Sequence, residues 1–218
     1  CILTPGCWPV CEDIDGNVYE TIQIGEQLWM AENLKVTHYN DGSEIPTGYS
    51  GSEWAQLETG AYAVYPTDED ENSIATCGDD CADIYGNLYN WYTVDDGRGI
   101  CPDGCKVPSN EEIKALEMYL GMSEGEANST GWRGTNEGSK LAGNSDLWNN
   151  GDEMFEGDLV NNAEFETSGF TLLLAGYHTD EDNDTDDGLG DVGYFWSSTE
   201  SGSNYAWYRA VHYYNSDK

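Results

Sequence analysis

The segment 180-DEDNDTDDGLGD-191 has the clearest potential for chemistry, because its acidic residues alternate with others at short spacing. Its candidate metal ligands are Asp180, Asp182, Asp184, Asp186 and Asp191. The first three alternate as in the first half of an EF-hand loop, and Asp191 stands at the twelfth position. The sixth position is Thr185 instead of Gly, and no helical pattern flanks the segment. We therefore expect a Ca²⁺ loop of a type other than the EF-hand; a metal-free acidic loop is the alternative.

The acidic excess extends along the whole chain. Forty-two Asp and Glu residues face eight Lys and Arg residues, a formal net charge of −34. This balance excludes nucleic acid and anionic membranes as partners, since both require a basic surface. Two explanations are open, and both can hold: a solvated acidic surface, or carboxylates that bind Ca²⁺. A second candidate site is the cluster 68-DEDE-71, with Asp68 and Asp70 as ligands.

Aromatic residues in polar segments are candidates for contact with a sugar ring. They are Trp54, Trp132, Trp148 and Tyr205. Aromatic faces can stack on sugar C–H groups while Asn and Asp side chains bind the hydroxyls. The alternative, that each Trp anchors its loop on the core, is the commoner role for a tryptophan. The other tryptophans are expected in the core: Trp29, Trp91, Trp196 and Trp207.

The sequence holds seven cysteines, and their close spacing predicts local disulfides in an exported protein. The candidate disulfide cysteines are Cys7, Cys11, Cys77, Cys81, Cys101 and Cys105. Zinc is disfavoured, because the spacing is CxxxC and the histidines lie elsewhere. The odd count leaves one thiol free, modified or paired outside the chain. No apolar run is long enough to cross a bilayer, and no signal-peptide pattern stands at the start.

The elements that position these residues follow from periodicity. The best helix runs from Ser109 to about Leu120, where Ser109 and Glu112 form a capping box and Ile113, Leu116 and Leu120 share one face. Alternation predicts a β-hairpin from 18–24 and 27–30. Further strands are expected at 61–65, at the apolar run 170–174, and at 194–196 and 206–213. The segment 85–92 fits a helix or a strand, and 121–168 is expected to be mostly loop. We expect one domain over 13–218, preceded by a Cys/Pro-rich leader over 1–12.

Several short segments occur in an order typical of one family of exported bacterial proteins. They are DIDGNVY (13–19), WMAENL (29–34), YGNLYNWY (85–92), GICPDG (99–104), VPS (107–109), SGF (168–170), WSSTE (196–200) and AWYR (206–209). The chain thus resembles the Fibrobacter succinogenes major paralogous domain family. The resemblance implies an α+β fold of C-type-lectin-like shape, a small twisted antiparallel sheet with one or two helices and long structured loops. It implies no established activity.

Two departures from the family pattern bear on the predictions. Cys105-Lys106 replaces the usual Trp-His, which permits a bridge between Cys101 and Cys105. The family's usual last strand, which follows the AWYR segment, does not occur before Lys218.

One further likeness points to a sugar site. Trp148, Asn149 and Asp152 loosely resemble the Trp-Asn-Asp calcium and sugar site of C-type lectins, although neither Glu-Pro-Asn nor Gln-Pro-Asp occurs.

Catalysis is not expected. The histidines His38, His178 and His212 have no Ser or Cys nucleophile in their sequence context. The fold is related in shape to formylglycine-generating enzymes, which use a cysteine pair late in the chain to bind copper. The last cysteine here is Cys105, so that activity does not transfer.

We therefore expect a non-enzymatic, extracellular bacterial module that binds a glycan or another cell-surface ligand, with Ca²⁺ stabilising its loops. The alternative is a self-assembling subunit of an extracellular filament, since a sheet that lacks a strand can accept one from the next copy. The leader would then be the donor, with Ile2 or Val10 in the apolar positions and cysteines locking the junction.

Overall fold

The structure is a computed structural model, and it describes residues 1–3, 11–64, 81–148, 159–178, 186–202 and 205–214. At 186 and 187 it describes the backbone alone. Several predicted site residues lie outside these ranges: Cys7, Asp68, Asp70, Cys77, Asn149, Asp152, Asp180, Asp182 and Asp184.

Within the described ranges the chain combines short strands with short helices. The strands are β1 (Ile2–Leu3), β2 (Cys11–Glu12), β3 (Val18–Tyr19), β4 (Thr21–Ile24), β5 (Gln27–Met30), β6 (Tyr62–Ala63), β7 (Leu88–Tyr89), β8 (Cys105–Lys106), β9 (Ala175–His178), β10 (Asp186–Leu189), β11 (Val192–Gly202) and β12 (Tyr205–His212). The helices are α1 (Gly51–Trp54), α2 (Cys81–Tyr85), α3 (Trp91–Val94), α4 (Asn110–Leu120), α5 (Glu124–Ala127) and α6 (Glu137–Leu141), with a 3₁₀ turn at Ser145–Leu147.

The strands form two four-stranded sheets, in the orders β4-β5-β1-β8 and β10-β9-β11-β12, and two two-stranded ribbons, β2-β3 and β6-β7. All pairings are antiparallel apart from that of β9 with β11. This mixture of small, mainly antiparallel sheets and few helices confirms the α+β class.

The predicted hairpin is confirmed, as β4 and β5 pair with Ile22 opposite Trp29. The predicted leader, by contrast, enters the same sheet. Strand β1 lies between β5 and β8, and both Ile2 and Leu3 are buried. Ile2, which the filament hypothesis assigns to a neighbouring copy, thus packs within its own chain.

Helix α4 confirms the clearest sequence prediction. Ser109 Oγ accepts from the Glu112 N–H at 3.3 Å, and Glu112 Oε2 accepts from the Ser109 N–H at 2.9 Å. Ile113 and Leu116 are fully buried on one face of the helix. Gly121 ends it with a φ of 125°, a conformation that glycine adopts without strain.

A charged residue, Glu117, lies on the same buried face of α4 and is 0% exposed. Its carboxylate accepts a hydrogen bond from Arg209 Nε of β12 and lies 3.1 Å from Arg133 Nη2. Arg209 also donates to Asn110 Oδ1 at 2.9 Å. A buried carboxylate needs such partners, because burying an unpaired charge is costly. This network, Glu117 with Arg133, Arg209 and Asn110, ties the helix to the last described strand.

One prediction for the second half of the chain needs correction. The run 170–174 forms no continuous strand, because Thr171 has a φ of 54° and only Leu172 forms a bridge, to Ala142. Extended pairing begins at Ala175. The predicted strands at 194–196 and 206–213 are confirmed within β11 and β12. The region 121–168, which was expected to be mostly loop, contains the short helices α5 and α6.

The predicted local disulfides also need correction. Cys101 bonds to Cys1, 100 residues away in sequence, and not to Cys105. The reason is topological: β1 pairs with β8, which places the start of the chain beside the segment that contains Cys101. Cys11 is a buried thiol in β2 and not part of a disulfide. Cys81 is disulfide-bonded, as predicted, while Cys77 lies outside the described ranges.

We expect one substitution in α4 to destabilise the protein strongly, because it disrupts the buried network. Glu117→Ala should lower the free energy of unfolding by about 3–5 kcal/mol, because it leaves Arg209 buried without its partner. Glu111→Ala, on the exposed face of the same helix, should change it by less than about 0.5 kcal/mol. Urea unfolding followed by tryptophan fluorescence measures both values, and equal small losses would contradict the assignment.

The disulfide generates a second prediction. Replacing Cys1 and Cys101 together by Ser should lower the free energy of unfolding by about 2–5 kcal/mol, because the bond restricts a long loop of the unfolded chain. Cys11→Ala, which removes a buried thiol but no cross-link, is the control and should cost about 1 kcal/mol. Urea unfolding without reductant tests both, and a double variant as stable as the parent would refute the cross-link.

Candidate ligand-binding cleft

A cleft of about 540 Å³ lies against one face of the sheet that contains β9, β11 and β12. Aromatic side chains from several elements line it. They are Trp54 of α1, Trp91 of α3, Tyr177 of β9, Tyr194 and Trp196 of β11, and Tyr208 of β12. We call this the aromatic cleft.

The register of the sheet explains why these rings meet. Trp196 lies directly opposite Tyr208, and Tyr194 precedes Trp196 by two residues, so it points to the same face. The parallel pairing of Gly193 with Gly176 places Tyr177 beside Tyr194. At Gly193 the strands approach so closely that a Cβ atom would lie 2.7 Å from the Leu173 carbonyl oxygen.

The rings form one continuous row across the sheet. Ring centroids are 5.4 Å apart for Tyr177 and Tyr194, 5.5 Å for Tyr194 and Tyr208, and 6.1 Å for Tyr208 and Trp196. Trp91 continues the row, 5.9 Å from Trp196. All these distances lie within the range of favourable aromatic pairs.

One ring of the row is fixed by a hydrogen bond, and two others are exposed to solvent. Trp196 Nε1 donates to the Tyr89 carbonyl at 2.9 Å, which fixes the indole ring. Tyr194 and Tyr208 are 41% and 52% exposed. Neighbouring aromatic rings that stay exposed to solvent on a rigid sheet are candidates for contact with a ligand.

Polar groups lie at the edge of the same cleft. Asn33 Nδ2 donates to the Tyr85 carbonyl at 2.8 Å, and Asn90 Nδ2 donates to the Thr59 carbonyl at 2.9 Å. Asn87 Oδ1 is buried and accepts no hydrogen bond within the described part of the chain. The Asn90 oxygen already accepts from the Ala61 and Thr93 N–H groups, and the Asn87 oxygen is closed off from solvent, so the half-buried Asn33 is the amide best placed to meet a polar ligand.

Tyr194 and Tyr89 of the cleft carry neutral hydroxyl groups at physiological pH. Burial, reinforced by the neighbouring Tyr208 and Tyr177, raises the pKa of Tyr194 above its ordinary value. Burial also raises the pKa of Tyr89 well above that value. The hydroxyls therefore act as donors and acceptors rather than as anions.

The structure separates the aromatic residues that we predicted as ligand contacts. Trp54 lines the aromatic cleft and packs edge-on against His178, with ring centroids 4.6 Å apart. Trp132 is 52% exposed but lies against His212, near one end of β12. Tyr205, 74% exposed, begins the other end of that strand, about 20 Å away by strand geometry.

Trp148 was predicted wrongly as a ligand contact. It is 4% exposed, it donates from Nε1 to the Gly143 carbonyl at 2.7 Å, and it packs against Phe165. A tryptophan in a polar loop can thus be a core residue when a backbone carbonyl satisfies its indole N–H.

Conversely, two tryptophans that were predicted as core residues line the cleft. Trp29 is buried as predicted, but Trp91 and Trp196 are half-buried walls of the cleft, and Trp207 is 37% exposed. The available signal was the alternation of Tyr194 and Trp196 on one strand face. It becomes meaningful only once the partner strand is known to carry Tyr208 opposite.

The predicted calcium segment is described only at its end. Asp186 begins strand β10, which pairs with β9, and Asp191 turns the chain into β11. The Asp191 carbonyl accepts from the Tyr213 N–H at 2.9 Å. Among the residues that the structure describes, no group of three or more His, Cys, Asp or Glu side chains is positioned to hold a metal.

These features define an α+β domain with an aromatic cleft. Residues 22–218 match the model of the Fibrobacter succinogenes major domain, and the chain belongs to this family. No curated protein and no solved structure matches the sequence. No helix within the described ranges has the length and apolar character that a membrane crossing requires.

Proposed function

We propose that the protein is a non-enzymatic extracellular module that binds a glycan or another cell-surface ligand in the aromatic cleft. The observation that carries the proposal is the row of rings from Tyr177 to Trp91, fixed by the sheet and open to solvent. Ligand sites are typically concave and largely apolar, with a few placed polar groups. The half-buried amide of Asn33 supplies such a group.

The chemistry of a sugar suits this arrangement. A pyranose ring has a C–H face that packs on an indole or phenol ring, and hydroxyl groups at its rim that exchange hydrogen bonds with amides. The row extends over five rings and does not close around a point, which favours a chain of sugars over a compact ligand.

A binding role is favoured over hydrolysis by the composition of the cleft. Among the described lining residues, Glu32 is the one carboxylate. Glycoside hydrolysis usually requires a pair of carboxylates on either side of the bond that breaks. Extracellular placement is supported by the disulfides, which persist in oxidising compartments.

We further propose that the fold is C-type-lectin-like and that Ca²⁺ binds the acidic segment 180–191. Support for calcium comes from the sequence, where Asp180, Asp182 and Asp184 alternate and the net charge is −34. A bound cation would offset the mutual repulsion of these carboxylates.

We expect ligand binding to weaken when Tyr208, the most exposed ring of the row, is removed. Tyr208→Ala should weaken binding of a glycan selected on an array by about three- to tenfold, because one aromatic stacking contact is lost. Tyr205→Ala is the matched control: it removes a more exposed tyrosine from the same strand, outside the cleft. Titration calorimetry measures both, and equal effects would place the ligand elsewhere.

The calcium proposal predicts stabilisation by Ca²⁺. Addition of millimolar Ca²⁺ to chelator-treated protein should raise the melting temperature by several degrees, since a ligand that binds only the folded state stabilises it. Asp180→Asn with Asp182→Asn should abolish the shift, and Asp103→Asn, an exposed aspartate outside the segment, should keep it. An unchanged melting temperature in Ca²⁺ would refute the site.

A further inference from the structure

We propose that the aromatic cleft selects its ligand by charge: it binds oligosaccharides that carry free, protonated amino groups and rejects those that carry carboxylates or sulfates. This inference rests on the proposed function and names the class of sugar that the same cleft takes. It follows from the positions of the basic side chains, the lining of the cleft and the field of the whole chain.

The basic side chains of the described residues are already engaged within the protein. Arg133 and Arg209 bind the buried Glu117. Each of Lys35, Arg98, Lys106 and Lys114 lies 2.6–2.9 Å from a carboxylate oxygen. Lys140 Nζ donates to the Leu120 carbonyl. A uronate or sulfate would have to displace one of these partners to find a cation.

The cleft itself carries the opposite sign. None of the described residues that line it is Lys or Arg; its ionisable side chains include Glu32, a carboxylate that is exposed to solvent, and His178, whose ring packs against Trp54. Glu32 Oε1 accepts from the Glu20 N–H at 2.9 Å, which orients the group at the rim. An anionic sugar in the cleft would face this carboxylate without a compensating charge, whereas a sugar ammonium group would pair with it.

The aromatic row adds an attraction for cations. The faces of Trp and Tyr rings carry negative electrostatic potential, and a cation held over them is stabilised by about 0.5–2 kcal/mol. Trp91, Trp196 and Tyr208 present such rings in one row. A sugar that bears an ammonium group gains this interaction in addition to the packing of its C–H face.

The net charge of the protein acts in the same direction over a longer range. A formal charge of −34 repels anions and attracts cations before contact, and this effect weakens as salt screens the field. The cleft of about 540 Å³ is larger than a single ammonium ion requires and falls within the range that holds an extended ligand. A chain of amino sugars has both the positive charge and the length that the cleft favours.

The test uses β-1,4-linked hexasaccharides that share one backbone and differ in charge: glucose (neutral), N-acetylglucosamine (neutral), glucosamine (cationic) and glucuronic acid (anionic). Calorimetry in mildly acidic, low-salt buffer keeps the amines protonated. The glucosamine hexamer should bind about three- to thirtyfold more tightly than the two neutral hexamers. The glucuronic acid hexamer should show no measurable binding. High salt should reduce the difference in affinity between the glucosamine hexamer and the neutral hexamers, because it screens the charges.

Two variants that each remove one negative charge test whether the preference for the cationic hexamer depends on the cleft. Glu32→Gln should weaken binding of the glucosamine hexamer several-fold more than it weakens binding of the neutral hexamers. Glu58→Gln removes the same charge from an exposed position outside the cleft lining and should leave all four unchanged.

The outcomes separate this inference from the function on which it rests. If the neutral hexamers bind in the cleft and the glucuronic acid hexamer binds as tightly as the glucosamine hexamer, charge selection is wrong and glycan binding stands. If none of the four binds under any salt condition, the inference is overturned, while the proposed function is judged separately by the glycan array and the Tyr208→Ala titration.

Discussion

The buried carboxylate of Glu117 constrains the structure more than any other single group. It lies on the apolar face of α4, fully removed from solvent, and it is tolerable there only because Arg209 and Arg133 reach it. Arg209 belongs to β12, where successive side chains point to opposite faces of the sheet. While Arg209 binds the helix, its neighbour Tyr208 must therefore face the aromatic cleft. A shift of β12 by one residue would bury Tyr208 and unpair the ion network, so the charged core fixes the register of the ligand surface.

Ion pairing also determines the charge of the protein surface. The chain has few cations, and those of the described residues are bound to carboxylates or to a backbone carbonyl. Positive charge thus serves mainly to hold the fold together, and the surface is left with a large acidic excess. In such a protein, recognition of a ligand must come from aromatic faces, amides and negative charge. The aromatic cleft supplies the first two, and Glu32 supplies the third.

Local signals in the sequence predicted local structure well. Ser109 and Glu112 predicted the start of α4, and alternation predicted the β4-β5 hairpin and the β11-β12 pair. Predictions failed where distant parts of the chain decide the outcome. Cys101 bonds to Cys1 because β1 crosses between β5 and β8, and Trp148 turns inward because Gly143 offers it an acceptor. The cleft was missed for the same reason: Trp91 and Trp196 meet Tyr208 only through a register that no single segment encodes.

The disulfide between Cys1 and Cys101 has a consequence for resistance to proteolysis. It joins the first strand of the chain to the segment before β8, and β1 is also hydrogen-bonded on both sides within its sheet. A protease that cut the backbone once between these two cysteines would therefore leave both fragments covalently joined and the sheet intact. Such nicking would become visible only after reduction, and the domain would tolerate proteolytic damage in its loops without shedding its N-terminal strand.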